Sequence, residues 1–224
     1  MPQTQLPKTP ALPHPPALQE SLAEGSLLEQ ITLALKQATD IDGLCFRHDA
    51  AQDWTGTTLN FSGCAFERCT LSGWFFKRVG FTDCLFSHCD LSGLKLQNVI
   101  LHRVQLEDCR LTGAELMRAS VTDTTFQGCA ADYLALSECK AQRAVWRGCR
   151  LRESLWQDVS LKDAILDQCD LTSAQFRYTP LANVSLATCT LDALQVDPAD
   201  LRGVSVSALQ ALQLCGLFGI RIEE

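Results

Sequence analysis

A strict five-residue period constrains this chain more than any other feature. From Phe61 to Val206 every fifth residue is apolar, and the residue two places before each of these centres is small or apolar throughout. No charged residue occupies either position between Leu59 and Val206, although charged residues are frequent in the segment. Because a helix repeats every 3.6 residues and a strand every 2, a period of five predicts a repeat architecture.

The overall composition points to one folded domain without a basic binding face. The 224 residues are 46% hydrophobic, enough for one substantial core, and the unbroken register favours a single domain. The formal net charge of -7 is mildly acidic. No basic face is available to neutralise a phosphate backbone, so we expect no nucleic-acid binding.

Cysteine usage and hydropathy indicate the compartment. The chain has 12 cysteines but no recognisable signal peptide, which favours free thiols in a reducing cytoplasm. No apolar run has the length of a membrane span, so we expect a soluble protein that does not enter a membrane.

Two segments precede the repeat. Residues 1–16 hold six of the eight prolines, which predicts a disordered, Pro-rich leader. The spacing from Pro7 to Pro10 to Pro13 also fits a PxxP ligand, although a plain linker is the better interpretation. Residues 17–40 are predicted to form a capping helix over the open first rung, with Ser26 and Glu29 as a capping box. Its apolar stripe comprises Leu27, Leu28, Ile31, Leu35 and Ala38.

The repeat itself resembles a known family. The segments CDLSG from Cys89, CRLTG from Cys109 and CDLTS from Cys169 resemble the pentapeptide-repeat consensus A(D/N)LXX. This resemblance implies an all-β solenoid over residues 41–206, a right-handed quadrilateral β-helix with four pentapeptides per coil and about eight coils. Asp49 and Gly56 break the inward pattern, so we expect an irregular first rung.

Coils of twenty residues predict which side chains stack inside. One interior column would contain seven cysteines, namely Cys69, Cys89, Cys109, Cys129, Cys149, Cys169 and Cys189. A metal or redox role is one interpretation, but packing of small apolar side chains is the stronger one. No CxxC pair or inward-facing His accompanies these cysteines, so we expect neither a metal nor another cofactor. Gly73, Gly93 and Gly113 share a column in which a turn requires positive φ.

Outward columns carry the charge. Asp83, Arg103, Asp123, Arg143 and Asp163 alternate in sign and predict a surface ion ladder.

A second predicted ion pair joins Arg150 to Asp170. Arg150 belongs to a basic region of the sequence and Asp170 to an acidic one. The first is a basic cluster formed by Lys140, Arg143, Arg147, Arg150 and Arg152. The second is an acidic region toward the C-terminal end, which is the candidate partner-binding surface: Asp158, Asp163, Asp167, Asp170, Asp192, Asp197 and Asp200.

Residues 207–224 depart from the period. Ser207 can cap a short helix through Leu217, and Ile220 and Ile222 look strand-like. The stretches DLRGV from Asp200, QAL from Gln210 and LFGI from Leu217 resemble the ending of the Qnr and MfpA topoisomerase-binding branch of the family. This resemblance implies a twofold homodimer through the C-terminal helix. Leu209, Leu212, Leu217 and Phe218 are the candidate dimerisation residues. The alternative is that they only plug the last rung.

Two functions fit these features. No catalytic constellation or phosphate loop stands out, so an enzyme is the least supported class. The resemblance implies an acidic rod that mimics duplex DNA, binds DNA gyrase or topoisomerase IV, and modulates quinolone sensitivity. The alternative is a structural or adaptor protein that uses the rod as a rigid scaffold and the N-terminal region for docking.

Overall fold

A computed structural model of the chain describes residues 11–18 and 21–221. It is a parallel β-solenoid of about nine turns, a right-handed β-helix with two short helices. The predicted fold class is therefore confirmed. Pairing begins at Ile41, the predicted first residue of the coil, which lies opposite Phe61. The solenoid has about nine turns where about eight were predicted.

The strands are short and succeed one another along the whole coil. The first ten are β1 Ala23–Glu24, β2 Ile41–Asp42, β3 Leu44–Arg47, β4 Thr55–Ser62, β5 Ala65–Glu67, β6 Phe75–Thr82, β7 Leu85–Ser87, β8 Lys95–Gln97, β9 Val99–His102 and β10 Gln105–Glu107. The remainder are β11 Glu115–Met117, β12 Ser120–Thr122, β13 Thr125–Gln127, β14 Ala135–Ser137, β15 Lys140–Gln142, β16 Val145–Arg147, β17 Leu155–Gln157, β18 Ser160–Lys162, β19 Ile165–Asp167, β20 Gln175–Arg177 and β21 Gln195–Val196.

Within the coil, from β2 onward, each strand pairs with the strand twenty residues away. The strands form one sheet of eight and one of thirteen, and the larger sheet contains two ladders joined through the long strands β4 and β6. A fourth ladder consists of single bridges running from Ala50 to Thr190. The solenoid therefore has four faces, as the twenty-residue coil predicts.

The interior contains the two apolar positions of each pentapeptide. Phe46, Phe66 and Phe86 stack in one column, with ring centroids 5.2 and 4.4 Å apart. The same column continues with Leu106 and Phe126. Burying these side chains is the main source of stability, at about 25 cal/mol per Å² of apolar surface.

Most corners adopt the left-handed backbone conformation. Gly73, Gly93 and Gly113 have φ of 72°, 64° and 66°, which confirms the predicted turn column. Non-glycine residues at equivalent corners do the same, including Asp83 at 53° and Arg103 at 51°. Asp and Asn tolerate this region better than most residues, so the corners have a structural reason to carry carboxylates.

The N-terminal cap differs from its prediction. Helix α1 spans Leu27–Gln37, and the preceding β1 adds an edge strand to β3. Ser26 occupies the N-cap position without a side-chain bond. Asp49 Oδ2 instead accepts from Leu27 N at 2.6 Å, which explains why an inward position of the first coil carries a carboxylate.

The buried stripe of α1 also differs from the sequence prediction. Leu27, Ile31 and Ala34 are buried, whereas Leu28 is 50% exposed and Ala38 lies outside the helix as its left-handed C-cap. Helix α1 packs against β4 and β2, and Leu35 of the predicted stripe is partly buried against the core. Of the predicted disordered leader, residues 11–16 are described, and they lie alongside the solenoid with His14 N donating to Asp123.

The C-terminal cap forms as predicted at its start. Helix α2 spans Ala208–Leu214, and Ser207 and Gln210 form a capping box. A 3-10 turn over Cys215–Phe218 follows, and Gly219 ends it with φ of 70°. Ile220, predicted to be strand-like, belongs to no strand, and Ile222, predicted likewise, lies outside the described residues.

Gln210 carries a function in this cap that the sequence did not suggest. Its buried amide donates to Leu186 O at 2.8 Å and to Cys189 O at 2.7 Å. These bonds supply donors to two carbonyls near the end of the coil, of which Leu186 O also accepts from Cys189 N. In the described part of the chain, no helix is long and apolar enough to cross a membrane.

Candidate protein-binding surface

The solenoid distributes the seven predicted acidic residues over all four faces. Asp158 directly follows β17, and Asp197 directly follows β21, which belongs to the same ladder. Asp163 directly follows β18. Asp167 lies in β19, and Asp170 belongs to the single-bridge ladder. Asp192 and Asp200 complete the set on the next coil. The acidic residues therefore surround the C-terminal half of the rod and do not form one patch.

Three of the seven carboxylates are engaged within the solenoid. Asp167 accepts from Arg147 Nε at 3.1 Å, and Asp170 accepts from Arg152 Nε at 2.5 Å. Asp200 accepts from Thr179 N at 3.1 Å. All three are partly buried. Their negative charge is thus less available to a partner than the sequence suggested.

The other four carboxylates face solvent. Asp158, Asp163, Asp192 and Asp197 are exposed, and none has a cationic side chain within salt-bridge distance in the described part of the chain. Asp192 receives only a long bond of 3.4 Å from Gln213. The acidic character of this end therefore rests on these four residues.

The basic cluster is mostly neutralised. Arg147 and Arg152 pair with aspartates of the following coil, as described above. The predicted pair of Arg150 with Asp170 is wrong, because Arg150 Nε donates to Asp132 at 2.6 Å. In both diagonal pairs the two residues are eighteen positions apart, which lets the arginine reach past its register neighbour.

The predicted ion ladder forms as separate pairs. Arg103 Nε and Nη2 bind both carboxylate oxygens of Asp83 at 2.6 and 2.5 Å. Arg143 Nε and Nη2 donate to the two carboxylate oxygens of Asp123 in the same way, both at 2.6 Å. These bidentate bonds lower the pKa of both carboxyls. Asp163 has no such partner, because Asn183 occupies the position one coil further on.

The cysteine column is a packing element. Cys109 and Cys129 are neighbours inside the shaft, since Ala130 N donates to Cys109 O at 2.9 Å. Both thiols are about 1% exposed, and Cys129 Sγ lies 3.5 Å from Leu106 O. Outside this column, burial raises the pKa of the Cys139 thiol. No cluster of His, Cys, Asp or Glu suited to a metal occurs among the described residues.

The C-terminal cap presents an apolar surface, which we call the terminal patch: Leu209, Leu212, Phe218 and Ile220. Leu209 is 70% exposed, and the other three are between 53% and 56% exposed. Of the predicted dimerisation residues, Leu217 is partly buried against the core and is the one that plugs the last rung. The same cap therefore closes the coil with one face and leaves an apolar face outside.

Comparisons with known proteins agree with the repeat architecture. A profile of the pentapeptide repeat region matches residues 99–176, and one of pentapeptide repeats in eight copies matches residues 76–113. No curated protein matches the chain.

Two solved structures illustrate the distance to known relatives. A trypsin-treated variant of QnrB1, a plasmid-mediated fluoroquinolone resistance protein, is 20% identical with a TM-score of 0.43, over 83% of this chain and 94% of that one. HetL, involved in heterocyst differentiation in the cyanobacterium Nostoc sp. strain PCC 7120, is 16% identical with a TM-score of 0.39, over 82% and 91%. Likenesses this low do not identify a partner for this chain.

Proposed function

Because this chain is a pentapeptide-repeat protein, a scaffold whose chemistry lies on its exterior, we propose that it acts as a non-enzymatic binding protein for a basic partner surface. The partner we propose is a type II topoisomerase such as DNA gyrase, whose DNA-binding saddle is basic. The rod would occupy it by presenting carboxylates where phosphates would lie.

One observation carries this proposal. Asp158, Asp163, Asp192 and Asp197 are exposed on three of the four faces, without cationic partners among the described residues. Neighbouring coils are about 4.8 Å apart, so these charges lie within a few coils of one another. A basic groove that wraps a rod would meet several of them at once.

The terminal patch supports the same geometry. Two copies joined through this patch would make a rod of double length, with the four carboxylates of each copy toward its middle. Such an arrangement would match the symmetry of a twofold-symmetric enzyme.

A gyrase supercoiling assay, with and without a fluoroquinolone, tests the proposal. We expect the purified chain to inhibit supercoiling or protect it from the drug at micromolar concentration. The variant D158N/D163N/D192N/D197N should lose at least ten-fold in potency, because long-range attraction to the basic saddle would be removed.

A matched variant controls for net charge. E29Q/D42N/D108N/E138Q also removes four exposed acidic charges, but on other parts of the chain. It should retain its potency. Equal losses of potency in both variants would mean that only the overall net charge matters. If the unmodified chain has no effect on supercoiling, gyrase is rejected as the partner.

An adaptor role is the second candidate, favoured by a separate observation. Helix α1 leaves Leu28 50% and Leu33 45% exposed on its outer side. These leucines border a shallow surface with Thr32 and Lys36. A chain without any effect on gyrase would leave this helix face as the better candidate for partner binding.

A further inference from the structure

The segment 11–18, which comprises the described end of the leader and the two residues after it, contacts the ion ladder at two points with the same chemistry. Ala17 N donates to Asp83 Oδ1 at 2.9 Å, and His14 N donates to Asp123 Oδ1 at 3.3 Å. In each case the accepting carboxylate is held by an arginine of the next coil, Arg103 or Arg143. We call each Asp–Arg pair a station.

The spacing of the stations matches an extended, proline-rich chain. The two aspartates are forty residues apart, or two coils, which corresponds to about 9.6 Å along the axis. The two donors, His14 and Ala17, are three residues apart, and three residues of polyproline II span about 9.3 Å. One turn of a polyproline helix therefore advances by almost the distance between stations.

The prolines of the leader fit this register. Pro13 and Pro16 are partly buried, whereas the intervening His14 and Pro15 are exposed, so the leader turns every third residue toward the solenoid. Each station receives the N–H that directly follows one of these prolines. A proline at the donor position itself would have no N–H to give.

The contact shields the carboxylates. The Asp123 side chain is 3% exposed and that of Asp83 is 13% exposed. Asp163 lies in the same column, two coils beyond Asp123, but has no arginine partner and is exposed. The leader thus covers the two complete stations.

We propose that this column of Asp–Arg stations is a docking site for a polyproline-type segment, and that the chain's own segment 11–18 is its ligand. The site recognises free backbone N–H groups at three-residue intervals and tolerates proline between them. A protein that binds this segment through Pro13 and Pro16 must first displace it from the solenoid. This inference is independent of the partner proposed above.

NMR of the full chain labelled with ¹⁵N-histidine tests the proposal. The chain has 4 histidines, so its amide spectrum contains few signals and the His14 amide can be assigned by substitution. We expect this amide to exchange with solvent about ten- to a hundredfold more slowly than in a free peptide of residues 7–18, because it donates to a carboxylate. Exchange at the free-peptide rate would overturn the proposal.

Two matched pairs of variants locate the effect. D123A should move the His14 signal toward its free-peptide position, whereas D167A, which removes another ion-paired carboxylate of the solenoid, should not. A17P removes the N–H used at Asp83 and should speed His14 exchange several-fold. A11P adds a proline at a position whose N–H donates to no group among the described residues. The A17P and A11P pair leaves the core untouched, so the result holds even if D123A folds poorly. Equal behaviour of A17P and A11P would contradict the three-residue register.

Discussion

Asp123 shows how a single carboxylate can serve the coil, the ladder and the leader at once. It lies at a corner with φ of 52°, accepts two bonds from Arg143, and accepts the His14 N–H. The corner conformation favours Asp, the arginine requires an anion, and the leader requires an acceptor. These demands explain its near-complete burial without a large energetic penalty.

The stability contributed by Asp123 should depend on pH. The Arg143 guanidinium lowers the pKa of the Asp123 carboxyl, and the nearby Arg103 and His14 also face it. A lowered pKa in the folded state stabilises the protein above the ordinary carboxyl pKa of about 3.9, and this contribution is lost as the pH falls through the folded value.

We therefore expect D123N to lower the free energy of unfolding by about 1–3 kcal/mol at pH 7, since a charged hydrogen-bonded pair is lost. The difference between D123N and the unmodified chain should shrink below about pH 4. Urea unfolding of both proteins from pH 7 to pH 3 measures it. A difference independent of pH would mean that the carboxylate charge does not stabilise the fold.

Individual residues also mark where prediction from sequence ends. The twenty-residue register identified the charge columns, but long arginine side chains choose among several aspartates, so Arg150 pairs with Asp132 and not with Asp170. The roles of Asp49 and Gln210 depend on where the caps rest on the coil, which the repeat does not encode.

At the scale of elements, the interior stacks are interrupted at one place. Leu106 separates the stacked Phe66 and Phe86 from Phe126 and Trp146, whose rings are 5.3 Å apart. An apolar cavity of about 40 Å³ lies here, and its lining includes Phe86, Leu106 and Phe126. The coils of leucine and valine fill the shaft less completely than the aromatic coils on either side.

L106F should therefore stabilise the protein. A phenyl ring at this position would continue the stack and occupy the cavity, which should raise the free energy of unfolding by about 0.5–1.5 kcal/mol. Guanidinium unfolding measures the change. L166F provides the contrast, because Leu166 does not line the cavity, and overpacking there should cost about 1–3 kcal/mol. Destabilisation by L106F as well would show that the cavity cannot admit a ring.

Element boundaries could be predicted well inside the repeat and poorly outside it. Within the coil each pentapeptide fixes its own inward positions, and twenty-residue pairing follows from the period. The N-terminal segment has no such internal rule, so the helix predicted over residues 17–40 became a short edge strand, Ala23–Glu24, and α1. Pairing with β3, a tertiary contact, decided this outcome.

At the scale of the whole molecule, the terminal patch bears on assembly. Leu209 and Leu212 project from α2 with 70% and 53% of their surface exposed. We expect the chain to be a dimer in solution at micromolar concentration, and L209E/L212E to be a monomer, since carboxylates would be buried in the interface. Light scattering measures both.

The control for this experiment places the same charges elsewhere on the rod. I100E/Y178E replaces two exposed apolar side chains away from the patch, Ile100 at 53% and Tyr178 at 77% exposure. It should remain dimeric. If the unmodified chain is a monomer, the terminal patch does not mediate dimerisation and the C-terminal cap only closes the coil.

Because each coil contains twenty residues, the solenoid advances by a constant rise per coil. Duplicating any twenty residues would add one coil, about 4.8 Å of length, and leave every column aligned. Duplicating five would rotate everything beyond the insertion by a quarter-turn, so that Asp123 would no longer lie in line with Asp83. Chains of this kind can therefore gain or lose whole coils while the alignment of their surface residues is kept. Insertion of a single pentapeptide changes that alignment but keeps the apolar interior.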